Sequence, residues 1–328
     1  MAQLISGEAY SLCEIFCGEN DKIIIPDLQR DYCWGNPISN NSEDSLASSF
    51  IDSILRLEKS QEITMGLIYG YYDKELTPYH LQLCDGQQRL TTLFLIIGII
   101  NRMLPGNEYR DLLISDFELN EDDKEPHLLY GIRESSLYFL SDLTVHYFLK
   151  DSLSVEELRK QPWFLKSYDD DPTIASIIRA LKTIECKLKG YKELELLGDF
   201  LIHKLKFLFY DMENRQNGEE TFVVINTIGE PLTANQNLKP QIMMANTSYC
   251  RCSDDSQNEV FDAAHDWEFM ETWFWKHRRK NEHDTSTEGM LAFLHCIRIL
   301  ESGDESSWHK NYDISNDKFP LSISMDTI

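Results

Sequence analysis

The segment with the clearest chemistry combines a glycine, two amides and a guanidinium: Asp85-Gly86-Gln87-Gln88-Arg89. Residues 79–83 before it are apolar and β-prone, and the apolar residues of 90–100 after it recur at helical spacing. The sequence therefore predicts a strand, a turn and a buried helix that begins near Gly86. The N–H groups and the positive dipole end of such a helix bind anions, and Arg89 adds donors suited to a phosphate.

The same residues also fit a structural role. Asp85 is a suitable N-cap with Gln88 three positions further on, which is a variant of the capping box. Arg89 then pairs with one of the 55 acidic side chains of the chain. Spacing alone leaves the phosphate site and the capped turn as alternatives.

A second polar cluster follows a short strand predicted for residues 22–25, which ends at Pro26. It places Arg30, Tyr32 and Trp34 in one loop, and loops crowded with such side chains usually line a site. The alternative is that the two aromatic residues anchor the loop to the core and that Arg30 pairs with Asp27 or Asp31.

A third cluster spans residues 219–233. Its apolar side chains suit a core, while Asn226 and Gly229 suit a turn that brings a carboxamide and backbone close to a ligand. A Gly-Glu-Pro turn capped by a threonine explains the same residues without a ligand. Lys239 follows a few residues later and fits a surface position.

The charge balance limits the partners of the protein. Its 328 residues carry a net charge of −24, so nonspecific attraction to DNA over the whole surface is not expected. The one strongly basic cluster contains Lys276, Arg278 and Arg279, which makes it the first place to expect a DNA backbone contact. A solvated helix face is the alternative.

The cysteines and apolar runs predict a cytoplasmic protein without a membrane segment. The eight cysteines include no Cys-x-x-Cys pair, and no signal peptide precedes them. The longest apolar run, 93–100, is too short to span a bilayer. The acidic stretch 107–125 is expected to be a solvated surface, with a divalent metal site as the alternative. No histidine lies among the companions that a nuclease centre needs.

Periodicity gives the remaining elements. Helices are expected in the ranges 4–16, 50–57, 128–149, 154–165, 173–188 and 194–205, and the region from about 262 is expected to be helical, with 290–300 as its last run. The acids 169–171 before Pro172 are typical of the entry to the helix at 173. A hairpin is expected for 63–72 and 79–83, and another strand for 206–212. Residues 107–205 therefore form a predicted helical insertion, and residues 246–328 a helical C-terminal region that the native protein is expected to continue.

Taken together, three motifs in this order resemble a known family: Ile25 to Trp34, Asp85 to Leu93 and Phe222 to Leu232. The chain resembles the N-terminal domain of GmrSD modification-dependent restriction enzymes over about residues 10–245. This resemblance implies an α+β fold with a small mixed-sheet core similar to ParB and sulfiredoxin. The core would comprise 1–106 and 206–245, separated by the insertion 107–205 and followed by the region 246–328.

The resemblance also implies binding and hydrolysis of a nucleoside triphosphate (GTP, ATP, CTP or UTP) with Mg²⁺, coupled to defence against foreign DNA. The residues implied to border the nucleotide are Gln29, Arg30, Gly86, Gln87, Gln88, Arg89, Asn226 and Gly229. Asp27-Leu28 departs from the small or polar residue and aromatic that usually precede Gln-Arg, so the pocket wall is expected to differ.

The hypothetical mechanism gives each catalytic residue a task. Arg89 and the helix N-terminus hold the phosphates, and Arg30 neutralises the charge that grows on the phosphoryl oxygens. Asp85 coordinates Mg²⁺ or orients water, and Gln88 or Gln87 positions that water through its amide.

Two other functions remain open from the sequence. One is a nucleotide-sensing interaction module that binds without turnover, and the other is a DNA-binding specificity subunit. The His-Asn-His nuclease half that family members often carry is absent from this sequence, which leaves cutting to a lost C-terminal region, to a partner nuclease or to no protein at all. DNA would be contacted directly or through that partner, and a homo-oligomer is a further expected partner.

Overall fold

The computed structural model describes residues 3–18, 22–27, 29–38, 44–73, 77–114, 126–150, 153–218, 239, 256–277, 289–294 and 296–297. The chain divides into two compact units, residues 1–222 and 223–328. The predicted four-part division, with boundaries near 106, 205 and 245, stays a prediction.

A six-stranded mixed sheet organises the first unit. Its strands are β1 (Ala9–Ser11), β2 (Lys22–Ile25), β3 (Ile63–Asp73), β4 (Thr77–Asp85), β5 (Leu128–Tyr130) and β6 (Leu205–Asp211), in the order β1-β6-β3-β4-β2-β5. β3 and β4 are antiparallel, which confirms the predicted hairpin. The combination of this sheet with separate helices confirms the α+β class, whereas the likeness to ParB and sulfiredoxin stays a prediction.

Three neighbouring strands run in the same direction. β2 pairs in parallel with both β4 and β5, so the carboxyl ends of all three strands meet at one edge of the sheet. In sheets of this kind, ligands bind beyond the carboxyl ends of parallel strands. The segments that leave this edge are the loop after β2, the turn at Gly86 and residues 131–133 after β5.

Six α-helices lie among the described residues of the first unit. They are α1 (Leu46–Arg56), α2 (Gln87–Met103), α3 (Arg110–Leu113), α4 (Glu134–Leu143), α5 (Pro172–Leu188) and α6 (Leu194–Asp199). α2 is apolar on nearly every side and is buried along most of its length, as expected for a central helix. α2 contacts α5, and α5 begins with Pro172 at its first turn as the sequence predicts.

Three predicted helices are corrected by the structure. Residues 4–16 form β1 and a π-helical turn, Glu14–Gly18, because Gly7 takes a left-handed conformation and residues 9–11 pair with β6. Residues 128–149 begin with β5, which extends the sheet beside β2, before α4 starts. Residues 154–165 contain only a short 3₁₀ turn, Val155–Lys160.

The second unit is described for one long helix and a few further residues. α7 (Ser256–Lys276) buries Trp267 completely, and Phe274 packs against Phe293 with ring centroids 5.7 Å apart. Lys239 is buried, with Nζ 4.0 Å from Glu268 Oε1, so the predicted surface position of this lysine is wrong. No helix among the described residues has the length and apolar character needed to cross a membrane.

Candidate functional site

The turn between β4 and α2 requires a glycine. Gly86 has a φ of +96°, in the left-handed region that residues with a Cβ disfavour. A Cβ at this position would also lie 2.7 Å from Ile68 Cγ2. Gly86 is the N-cap of α2 and has no side chain that could cap the helix. The predicted alternative, in which Asp85 caps the helix, is therefore wrong.

Three glutamine amides join the loop after β2 to this turn. Gln29 Nε2 donates to the carbonyl oxygen of Cys84 at 2.9 Å. Gln87 Nε2 donates to the carbonyl oxygen of Arg30, and Gln88 Nε2 donates to that of Asp31 at 2.8 Å. The first two sequence motifs therefore meet at the carboxyl edge of the sheet.

The Gln88 amide also binds the far end of the loop. Its Oε1 accepts hydrogen bonds from the backbone N–H groups of Cys33 at 2.9 Å and Trp34 at 3.3 Å. Both ends of this buried amide are thus hydrogen-bonded to loop backbone. These contacts support a positioning role for Gln88, while its predicted part in orienting water stays a prediction.

Helix α5 supports the loop from another side. The Tyr32 N–H donates to Thr173 Oγ1 at 3.3 Å, and the Gly35 N–H donates to Ser176 Oγ at 3.1 Å. A Cβ on Gly35 would lie 2.0 Å from the Ser176 carbonyl oxygen, so only glycine allows this approach. The stretch predicted as a helical insertion therefore helps to build the site.

Arg89 and Asp85 form an ion pair beside the turn. Arg89 Nη2 lies 3.1 Å from Asp85 Oδ2 and also donates to the Leu67 carbonyl oxygen at 2.7 Å. The side chains are 23% and 32% exposed, so water and ligands can reach both. A Cβ on Gly66 would lie 2.5 Å from Arg89 Nη1, which explains the glycine in this strand. Arg89 thus has a structural role at the strand edge, as one predicted alternative requires.

Two buried tyrosines stay neutral in this region. The hydroxyl of Tyr32 is hydrogen-bonded to Thr92 at 2.9 Å, and that of Tyr130 to Thr91 at 2.8 Å. Burial raises the pKa of Tyr32 and the pKa of Tyr130 well above the ordinary value for tyrosine. Neither phenol is therefore suited to exchange protons near neutral pH. Tyr32 joins the loop to α2, and Tyr130 joins β5 to α2.

The other predicted residues divide into described and undescribed ones. Arg30 is half-buried in the loop that the glutamines hold. Asn226, Gly229, Arg278 and Arg279 lie outside the described residues. Lys276 is exposed in the last turn of α7. The roles of all six in binding nucleotide or DNA stay predictions.

Sequence reasoning missed Arg133. This residue follows β5 by three positions and forms an ion pair with Asp31 in the loop after β2. The sequence does contain a signal for this residue, because a charged residue just after a parallel strand lies at the edge where ligands bind. The apolar spacing of residues 128–149 predicts a helix over the whole range, which conceals the strand at its start.

The described residues offer limited ligands for a metal. They contain no group of three His, Cys, Asp or Glu side chains that could hold an ion. Mg²⁺ at phosphate sites is usually held by one or two carboxylates together with phosphates and water. Asp85 fits such a site as a single carboxylate, and its role as a magnesium ligand stays a prediction.

The fold and these contacts define an α+β protein in which two sequence motifs meet at the carboxyl edge of a mixed sheet. The family model described as GmrSD restriction endonuclease, N-terminal domain, matches residues 12–243. The chain belongs to this family, which confirms the resemblance found in its motifs and associates it with restriction or phage-defence systems acting on DNA. A search of curated proteins found no matching relative.

Proposed function

We propose that this chain binds a nucleoside triphosphate at the carboxyl edge of β5, β2 and β4, and hydrolyses it with Mg²⁺. In a restriction or phage-defence system, this reaction would couple the state of the nucleotide to action on foreign DNA. One observation carries the proposal: the loop with Arg30 is joined by glutamine amides to the first turn of α2, at a helix start without a side-chain cap.

This arrangement supplies the donors that phosphates need. The first-turn N–H groups of α2 and the dipole of the helix favour negative charge beyond Gly86. Arg89 and Arg30 come from the two segments that meet at the turn, and guanidinium groups bind phosphate oxygens in pairs. Arg89 Nη2 already donates to the Leu67 carbonyl oxygen and to Asp85. A bound phosphate would therefore either replace Asp85 as an acceptor of Arg89 or bind beside the intact ion pair.

Charge stabilisation sets the expected rate enhancement of the proposed hydrolysis. When bound, Mg²⁺ would neutralise phosphate charge, with Asp85 as the protein carboxylate nearest to the turn in sequence. Arg30 would stabilise the charge that grows on the phosphoryl oxygens, while the buried glutamines keep its backbone in place. Loss of one such donor typically costs about 100-fold or more in turnover.

The test measures binding and phosphate release for GTP, ATP, CTP and UTP with Mg²⁺. Arg89→Ala is expected to lower turnover by about 100-fold or more, and Arg30→Met by a similar factor. Arg159→Met serves as the matched control, because Arg159 is exposed, belongs to neither motif and pairs with Asp169 at 3.2 Å. Wild-type turnover in Arg89→Ala, or no binding of any of the four nucleotides, would refute the proposal.

A second function, nucleotide sensing without hydrolysis, is favoured by one contact set. Gln88 uses both ends of its amide for the loop backbone, and Gln87 donates to the Arg30 carbonyl oxygen, so these amides are engaged elsewhere. A protein that binds one of the four nucleotides with Mg²⁺ but releases no phosphate would have this function.

A further inference from the structure

A buried arginine outside the three sequence motifs holds the residue next to Arg30. Arg133 is 6% exposed, and its Nη1 donates to Asp31 Oδ1 while Nη2 lies 3.4 Å from Asp31 Oδ2. This paired geometry fixes the plane of the carboxylate as well as its position. Asp31 is therefore held by a guanidinium that arrives from the end of β5.

The pair belongs to a larger charged network. Arg133 Nη1 lies 3.9 Å from Asp171 Oδ1, and Asp171 is 1% exposed. The hydroxyls of Ser135 and Ser136 each donate to Asp171 Oδ2 at 2.6 Å. The Thr173 hydroxyl donates to Asp31 Oδ1 at 2.8 Å. The network thereby connects the loop to the first turns of α4 and α5.

The backbone around Arg30 is held on both sides as a result. The carbonyl oxygen of Arg30 accepts from Gln87 Nε2, and that of Asp31 accepts from Gln88 Nε2. The Asp31 side chain is held by Arg133 and Thr173. These bonds restrict the backbone torsions from which the Arg30 side chain extends.

We propose that Arg133 is a positioning residue of the phosphate site: it holds Asp31 so that Arg30 is directed at the phosphate before the nucleotide binds. The inference rests on the proposed function and adds to it a residue from the helical region. Preorganisation of this kind matters because a catalytic group displaced by about 1 Å can lose 100-fold in rate. Arg133 itself does not need to touch the nucleotide.

The test uses the full chain and whichever of GTP, ATP, CTP and UTP the wild type binds. Arg133→Met is expected to weaken nucleotide affinity by about tenfold or more. In an Arg30→Met background, the same change is expected to alter affinity by less than about twofold, because the group it positions is gone. In an Arg89→Met background the full loss should persist, since Arg89 has other partners.

Two further variants separate positioning from stability. Leu188→Ala removes a fully buried side chain at the far end of α5, and should lower the melting temperature without changing affinity. Arg133→Lys keeps a positive charge beside Asp31 and should recover part of the affinity. If Arg133→Met does not fold, Asp31→Asn replaces it, because the asparagine keeps the backbone bond to Gln88 but loses the ion pair.

Two results overturn the inference alone. One is a wild type that binds nucleotide and an Arg133 variant that binds it equally well. The other is an equal loss of affinity in the wild-type and Arg30→Met backgrounds, which would give Arg133 a general structural role. A wild type that binds none of the four nucleotides is a different result, since it removes the proposed function and the inference with it.

Discussion

Two helices that begin beside the same loop start in opposite ways. α5 begins at Asp171, whose Oδ1 accepts from the N–H groups of Thr173 at 2.8 Å and Ile174 at 3.3 Å. α2 begins at Gly86, where no side chain provides a cap. Both helices hold the loop, through Thr173 and Gln88.

The two kinds of helix start favour different properties: a side-chain cap favours stability, and a start without one favours anion binding. A capped N-terminus gains about 0.5–2 kcal/mol of helix stability, and its first N–H groups are no longer available to a ligand. An N-terminus that starts with glycine gives up only about a few tenths of a kcal/mol relative to such a cap, and it keeps its donors for an anion. The N-terminus of α5, which supports the loop, is thus capped by the Asp171 carboxylate, while the N-terminus of α2 at the proposed phosphate site starts with Gly86.

The largest loss of stability is expected when the side-chain cap of α5 is removed. Asp171→Ala removes the cap of α5 and the acceptor of the Ser135 and Ser136 hydroxyls, and it leaves Arg133 with one carboxylate fewer. Loss of a buried charge partner typically costs about 3–5 kcal/mol in the free energy of unfolding. Urea denaturation measures this loss, provided that the slope of the transition is unchanged.

Asp171→Asn is the matched control for that experiment. The amide oxygen still accepts from the first turn of α5, but the negative charge beside Arg133 is lost. We expect a smaller decrease in the free energy of unfolding than for Asp171→Ala. If alanine costs only the value of a cap, about 1 kcal/mol, the charged network does not contribute to stability as argued.

An intermediate effect is expected at the glycine-started helix. Gly86→Ala forces a Cβ into a left-handed backbone conformation, and this Cβ lies 2.7 Å from Ile68 Cγ2. The backbone strain costs about 1–2 kcal/mol, and the overpacking adds about 1–3 kcal/mol. Because relief of the contact must move the turn, nucleotide affinity should fall as well, which calorimetry can measure.

Gly106→Ala isolates the backbone strain. Gly106 has a φ of +100°, close to that of Gly86, but a Cβ there meets no atom within 4 Å. It should therefore lose only the backbone contribution of about 1–2 kcal/mol and keep its affinity for nucleotide. Equal losses of affinity in both variants would show that the Gly86 turn has no special part in binding.

The sequence was sufficient where the determinants are local. β2 was predicted with its observed bounds, because an apolar, β-branched run ends at a proline. The start of α5 was predicted from acids that precede a proline, and the start of α2 from the Asp-Gly turn. In each case the residues that set the structure are within a few positions of it.

The sequence was insufficient where the determinants are distant. β5 has three residues, and it becomes a strand because β2 offers an edge about 100 positions earlier in the chain. The glutamine amides bind backbone carbonyl oxygens, which every residue type carries, so the residue types do not show which carbonyl each amide binds. The ion pair of Arg133 with Asp31 depends on both of these unseen features.

The smallest effect is expected at a second helix start that a carboxylate closes, where the π-helical turn Glu14–Gly18 follows β1. Glu14 Oε2 accepts from the Ser11 N–H at 2.7 Å and from the Ser11 hydroxyl at 2.8 Å. These hydrogen bonds, the backbone one foremost, lower the pKa of Glu14 below its ordinary value. Since Glu14 is exposed, Glu14→Gln should cost less than about 1 kcal/mol at pH 7.

The pH dependence of this loss of stability tests whether it comes from the charge of Glu14. A carboxyl whose pKa is lowered on folding stabilises the protein above its unfolded pKa, and this contribution disappears as the pH falls through the folded pKa. The free energies of unfolding of wild type and Glu14→Gln should therefore differ at pH 7 and converge in acid. A difference that persists after Glu14 is protonated would assign the loss to packing, because the capping charge would then contribute nothing to closing this helix start.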